Sequence, residues 1–182
     1  MDYISYFNKG ISYNEFINLA NQFINEGKYA KNLTDYTQLN LQRMKRWDKK
    51  GSLDVDIPYT KNLKWLIITE AWCGDSAHSL PFIQKIAEAS EIPLKIVLRD
   101  ENEALMNEFL TNSSKSIPIL ISLDPNNKVL FRWGPRPTEL QEWLIEAKKK
   151  NTSQEEIFDY LQKFYNKDAG NTVVREVVDL MK

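Results

Sequence analysis

The stretch Trp65-Leu-Ile-Ile-Thr-Glu-Ala-Trp-Cys-Gly-Asp-Ser76 decides the fold. Its first half is a compact apolar run, suited to a strand buried on both faces. Its second half opens a helix, and the chain's single cysteine, Cys73, stands at the junction. A helix start presents free backbone N–H groups and the positive end of the dipole, so an anion is favoured there. A thiol in that position is expected to ionise readily, with a pKa in the range ~3.5–7.5 rather than about 8.5. Thiol chemistry is therefore the first candidate activity.

Reading outward, residues 75–90 form a helical pattern with Leu80, Ile83, Ile86 and Ala87 inward and Pro81 as a kink. Residues 93–98 read as a strand and 102–111 as a helix with Leu105, Met106, Phe109 and Leu110 apolar. Residues 117–123 read as a strand entered through Pro118. The turn residues Asp124-Pro-Asn-Asn127 lead into 128–133, which pairs back as a hairpin. Gly134-Pro-Arg-Pro137 breaks the chain, and 138–150 is a helix with Leu140, Trp143, Leu144 and Ala147 on one face. The order β, α, β, α, β, β, α describes a small α/β sandwich. Upstream, Leu53, Val55 and Ile57 alternate with polar residues, which predicts a short half-exposed strand limited by Pro58.

Both ends read as helical. Ser12-Tyr-Asn-Glu15 has capping-box spacing and is followed by the stripe Phe16, Ile17, Ala20, Phe23 and Ile24, with Gly27 as a stop. A second helix is expected from about Thr34 to Gly51. Ser153-Gln-Glu-Glu156 repeats the capping box before Ile157, Tyr160, Leu161 and Phe164. Residues 172–181 carry valines at helical spacing, a pattern that also suits a strand; helix is the expectation. The division is thus a helical extension packed on the core (1–50), a central α/β domain (51–150) and C-terminal helices (151–182).

Bulk properties narrow the function. The formal net charge is −1, so no global field draws the chain to nucleic acid or to an anionic membrane. The basic runs at 43–50 and 148–150 are expected to be solvated helix faces and ends. One cysteine excludes an intramolecular disulfide, and one histidine, His78, excludes a Cys/His zinc cluster. No metal and no cofactor is expected. The first residues lack a basic segment and apolar run, and no stretch reaches the roughly 20 apolar residues a membrane helix needs. A cytoplasmic location is the expectation.

Residues of about 51–150 resemble a thioredoxin domain. Ala71-Trp-Cys-Gly-Asp-Ser76 resembles the thioredoxin active-site stretch with its second cysteine changed to serine. Pro81 matches the family's kink proline, Ile117-Pro118 its cis-proline dipeptide and Gly134 the glycine after its hairpin. The whole chain is similar to a bacterial thioredoxin-like subgroup with a Trp-Cys-Gly-Asp motif. The resemblance implies a thioredoxin-like three-layer sandwich with helical ends, and a cis Ile117-Pro118 bond packed beside Cys73. A cis bond before proline costs only about 0.5–1 kcal/mol. The backbone of Ile117 would then pair with an extended partner peptide.

The candidate site is Cys73 and Ser76, with Trp72, Gly74, Asp75, Ile117 and Pro118 meeting the substrate. Ser76, three residues on, can point its hydroxyl back at the sulfur and favour thiolate. Trp72 shields one side, and Gly74 permits a tight turn. Asp75 opposes thiolate by charge, unless it faces solvent or serves the helix dipole. Glu70 is expected on an exposed flank. His78, five residues beyond Cys73, has poor helical spacing for contact and reads as a packed or surface histidine. Two departures from the family pattern matter. Ser76 cannot resolve a mixed disulfide, and Ile67 stands where many thioredoxins bury an acid. The expected function is a monothiol protein forming mixed disulfides through Cys73 with protein or glutathione thiols. The alternatives are a non-catalytic peptide-binding module and a sensor whose thiol is oxidised.

Overall fold

The computed structural model describes residues 1–60 and 62–182. Among these described residues, eight helices and four strands follow one another in the order α1 (Tyr3–Lys9), α2 (Tyr13–Asn25), α3 (Lys31–Lys50), β1 (Lys64–Thr69), α4 (Gly74–Ala89), β2 (Leu94–Leu98), α5 (Glu103–Asn107), β3 (Ile119–Leu123), β4 (Val129–Trp133), α6 (Thr138–Lys149), α7 (Gln154–Asp168) and α8 (Asn171–Leu180). The sheet runs β2-β1-β3-β4. β1 and β2 are parallel, as a helical crossover through α4 requires, and the other two pairings are antiparallel.

Successive β1 side chains enter opposite layers, because strand side chains alternate. Trp65 and Ile67 join α2, α3, α4 and α8 in one apolar cluster. Leu66 and Ile68 join Phe7 of α1, Leu105 and Met106 of α5, and Cys73 in the other. The continuous apolar run Trp65 to Ile68 is explained by this: both faces of β1 are covered, and all four residues are fully buried. The result is an α/β sandwich, as the element order describes, with the three layers that the resemblance implies.

The ends of the chain complete the sandwich. Both capping boxes form: Ser12 with Glu15 and Ser153 with Glu156 exchange side-chain and backbone bonds. Ile11 bridges Ile96 through two backbone hydrogen bonds of 2.9 and 2.7 Å, which covers the β2 edge. α3 lies along α4, with Trp47 and Phe82 ring centroids 5.5 Å apart. α8 is a helix: Val173, Val174, Val177 and Val178 are buried in the α4 layer, and Glu176 accepts the Trp133 indole N–H at 2.7 Å.

Several local expectations need correction. Residues 53–57 form no strand; Leu53 and Ile57 pack against the core without a ladder partner, so their alternation reports one-sided burial only. α3 starts a turn before Thr34, whose hydroxyl donates to the Ala30 and Tyr29 carbonyls instead of capping. α5 stops at Asn107, after which Asn112 and Ser113 adopt positive φ. In α7 the buried residue is Tyr165, while Tyr160 is exposed and stacks on Trp143.

Candidate functional site

The site is assembled where α4 begins. Cys73 is the residue that precedes the first turn, in extended conformation (φ −79°, ψ 119°), and its carbonyl accepts the Ala77 N–H. The Ile117-Pro118 bond is cis. The Cys73 thiol donates to the Ile117 carbonyl at 3.4 Å, so the sulfur and the proline loop are in contact. Gly134 (φ +112°) presses on that loop from the other side; a Cβ there would sit 2.2 Å from the Pro118 carbonyl oxygen. Gly134 is itself followed by a second cis bond, to Pro135.

The thiol is not the readily ionised group expected from its helix position. Cys73 is only 8 % exposed. Burial, and then the neighbouring Asp75 carboxylate, push its pKa up to about 11; the Ser76 hydroxyl and amide and the Arg136 charge offset this only in part. Desolvation of the sulfur outweighs the helix terminus. Ser76 itself is fully buried, and its hydroxyl shares a 2.5 Å hydrogen bond with that of Thr69. Gly74 does not relieve crowding: a Cβ there would meet only the Arg43 guanidinium, at 3.7 Å. Trp72 is half-buried, with the Arg99 guanidinium 4.7 Å from its ring centroid.

Asp75 faces inward. It forms an ion pair with Arg136 at 2.5 Å, both side chains being 12 % exposed, and accepts the Tyr165 phenol at 2.7 Å. Arg136 also donates to Gln141 at 2.5 Å. This network ties the start of α4 to the segment before α6 and to α7. Sequence reading missed Arg136, hidden within a Gly-Pro-Arg-Pro break, and Tyr165, which lies one position off the assumed stripe. The remaining signal was that an Asp held out of water beside a buried strand end needs a cation.

Glu70 is also buried, at 2 % exposed, not on an open flank. It accepts the Asp100 N–H at 2.9 Å. Burial pushes its pKa up to about 7, with that N–H acting in the opposite direction. The folded chain therefore holds the Glu70 proton more tightly than the unfolded chain, whose ordinary value is 4.5. The stability this supplies is complete below pH 4.5 and is lost as pH rises through about 7. Glu70→Gln is expected to stabilise the fold at pH 8 by on the order of 1–3 kcal/mol, with the gain vanishing toward pH 4. Thermal unfolding of both proteins across that range checks it.

His78 is 3 % exposed and belongs to the site. Its Nδ1 accepts the Trp47 indole N–H at 3.0 Å, and its ring stacks on Tyr165 with centroids 4.5 Å apart. Burial first, then the Arg43 charge, lower its pKa to about 4, so the ring is neutral at physiological pH.

Above Cys73 lies a cleft of about 410 Å3 walled by α3 and α7. Leu33, Leu39, Phe158 and Leu161 form its apolar sides, and Trp72 and His78 also line it. Arg43, expected on a solvated face, instead lines this cleft and hydrogen-bonds Gln162 and Asn40. A larger depression of about 590 Å3 near Ser90 and Glu91 shares none of these residues. Among the described residues no group of three or more His, Cys, Asp or Glu is placed to hold a metal, and no helix is long and apolar enough to cross a membrane.

A family model described as Thioredoxin matches residues 27–150, beginning within the segment read as an extension. No curated protein matches the sequence. Two solved structures are similar over the full chain. One is a protein of unknown function from Pseudomonas aeruginosa, with 17% identity and a TM-score of 0.60, covering 100% of this chain and 97% of its own. The other is an HIV epitope-scaffold, with 16% identity and a TM-score of 0.56, covering 100% and 98%. At such identities the likeness is one of fold, and it includes the helical ends.

Proposed function

We propose a function from the premise that this chain belongs to the thioredoxin family: Cys73 acts alone, forming a mixed disulfide with a partner admitted to the cleft above it. The observation that carries this reading is the position of the sulfur, at the start of α4, against the Ile117 carbonyl and on the wall of the cleft. The Cys73 thiolate attacks one sulfur of a partner disulfide. A Cys73–partner disulfide forms, the other sulfur leaves as thiolate, and that thiolate or solvent takes up the Cys73 proton. With Ser76 in place of a second thiol, two external thiols, of glutathione or a protein, complete the cycle: the first attacks the Cys73 sulfur and releases the partner reduced, and the second attacks the resulting mixed disulfide, restoring Cys73 and leaving with the first as a disulfide.

The raised pKa sets the rate. A thiol at about 11 instead of 9.0 has roughly a hundredfold less thiolate at pH 7. Its thiolate is roughly six- to tenfold more nucleophilic, which leaves the exchange about tenfold slower than for an ordinary cysteine. Alkylation of Cys73 is therefore expected to be slow at pH 7 and to accelerate about tenfold per pH unit toward pH 10. A rate that levels off near pH 7 would show a thiol ionised at neutral pH and contradict this account of the site.

The burial of Cys73 favours a second reading, a binding module in which the thiol stays protonated and takes no part. Incubation with disulfide-bearing partners separates the two. The first reading expects one adduct per chain, released by dithiothreitol and absent from Cys73→Ser. Partner capture that survives Cys73→Ser undiminished supports the second.

A further inference from the structure

The only histidine in the chain has a determined tautomer. Its Nδ1 accepts a hydrogen bond from the Trp47 indole, a group that can only donate, so Nδ1 carries no proton. A neutral ring must then carry its proton on Nε2. That N–H is buried and makes no well-formed hydrogen bond; Gln162 is its nearest partner, but the Gln162 side-chain oxygen already accepts the Arg43 guanidinium. A buried donor left unpaired costs about 1–3 kcal/mol. His78 lines the cleft, so an acceptor entering there would relieve that cost.

A charge points to the same acceptor. Two charged side chains line the cleft, Arg43 and Asp75. Asp75 is neutralised by Arg136. Arg43 is bonded only to the neutral amides of Asn40 and Gln162, and no carboxylate lies within salt-bridge distance of it among the described residues. One unmatched guanidinium and one N–H without a well-formed bond thus face a cleft lined also by leucine and aromatic side chains and by the already bonded Asn40, Asp75 and Gln162. We infer that the cleft binds an apolar monocarboxylic acid, its carboxylate meeting Arg43 and the His78 Nε2–H and its apolar body lying between α3 and α7.

A free acid fits better than a peptide strand. Ile117 is 4 % exposed, Pro118 is buried, and the Ile117 carbonyl already accepts the Cys73 thiol. The volume lies within the range of about 300–1,000 Å3 that small-molecule sites occupy. Guanidinium is also the cation best suited to a carboxylate in an apolar setting. The inference does not depend on disulfide exchange at Cys73.

Calorimetric titration of the full chain with decanoate and with decanol tests it. Decanoate is expected to bind at least tenfold more tightly than decanol. Arg43→Met, which keeps the apolar stem, is expected to abolish the preference while leaving decanol binding unchanged; Arg43→Lys retains part of it. The nitrogen spectrum of the single histidine gives a readout independent of variant folding. It is expected to show the Nε2–H form, with that proton moving downfield as decanoate is added. Equal binding of acid and alcohol, a histidine protonated on Nδ1, or binding confined to a short apolar peptide with a free C-terminus would each overturn the assignment.

Discussion

Arg136→Met lowers the stability of the fold by about 3–5 kcal/mol, because it strands the Asp75 carboxylate in a nearly closed site. In a chain of this length that corresponds to a fall in Tm of roughly 6–20 °C. The pair is the most buried ion pair among the described residues, at 12 % exposure on each side, and it also receives the Tyr165 phenol. Surface pairs such as Lys163–Asp159 are largely exposed, and their loss is expected to cost at most about 1 kcal/mol. Asp75→Asn destabilises in the same direction but has the opposite effect on the thiol. Asp75 raises the Cys73 pKa and Arg136 lowers it. Removing the acid therefore brings the alkylation profile to lower pH, and removing the arginine moves it higher. Removing both charges together recovers part of the lost stability, since neither is then left unpaired. Thermal melts and alkylation profiles of the three variants check this. Shifts of the thiol in one common direction would mean that the pair does not sit beside the sulfur.

Gly134→Ala destabilises the protein by at least about 4 kcal/mol, in the range reserved for gross steric conflict. A Cβ at this position would lie 2.2 Å from the Pro118 carbonyl oxygen and 3.2 Å from its carbonyl carbon, with φ at +112°. The obstruction is backbone, so no rotamer change relieves it. The displaced segment is the one whose preceding carbonyl accepts the Cys73 thiol. Material that still folds is therefore expected to expose Cys73 and to alkylate faster at pH 7 than the parent. Gly74→Ala provides the contrast: its Cβ meets nothing closer than 3.7 Å, and φ is not positive. It is expected to change stability by less than about 1 kcal/mol. Equal losses for the two alanine variants, by chemical denaturation, would refute this steric account.

Local chemistry made much of the fold legible. The uninterrupted apolar run of β1, the hairpin turn at Asp124 to Asn127 and both capping boxes rest on interactions between residues close in sequence, so the residues that make them can be recognised without coordinates. The strand expected at 53–57 was misread because alternation records burial, whereas a strand also needs a neighbour with free backbone groups. Tyr165 was missed and Glu70 misplaced for a related reason. Burial of a single polar side chain depends on what the rest of the chain lays over it.

The sequence by itself determined the α/β layer order, the position of the only thiol at a helix start and the absence of a second cysteine to resolve it. Tertiary structure alone decided that this thiol is held protonated, that Asp75 is matched by an arginine 61 positions away, and that Arg43, His78 and α7 enclose a cleft over the sulfur. The physical reason is range. Helix starts, turns and capping boxes are made by neighbours along the chain, whereas desolvation and charge pairing at Cys73 are made by α3, α4, the segment before α6 and α7, which meet only when the chain has closed.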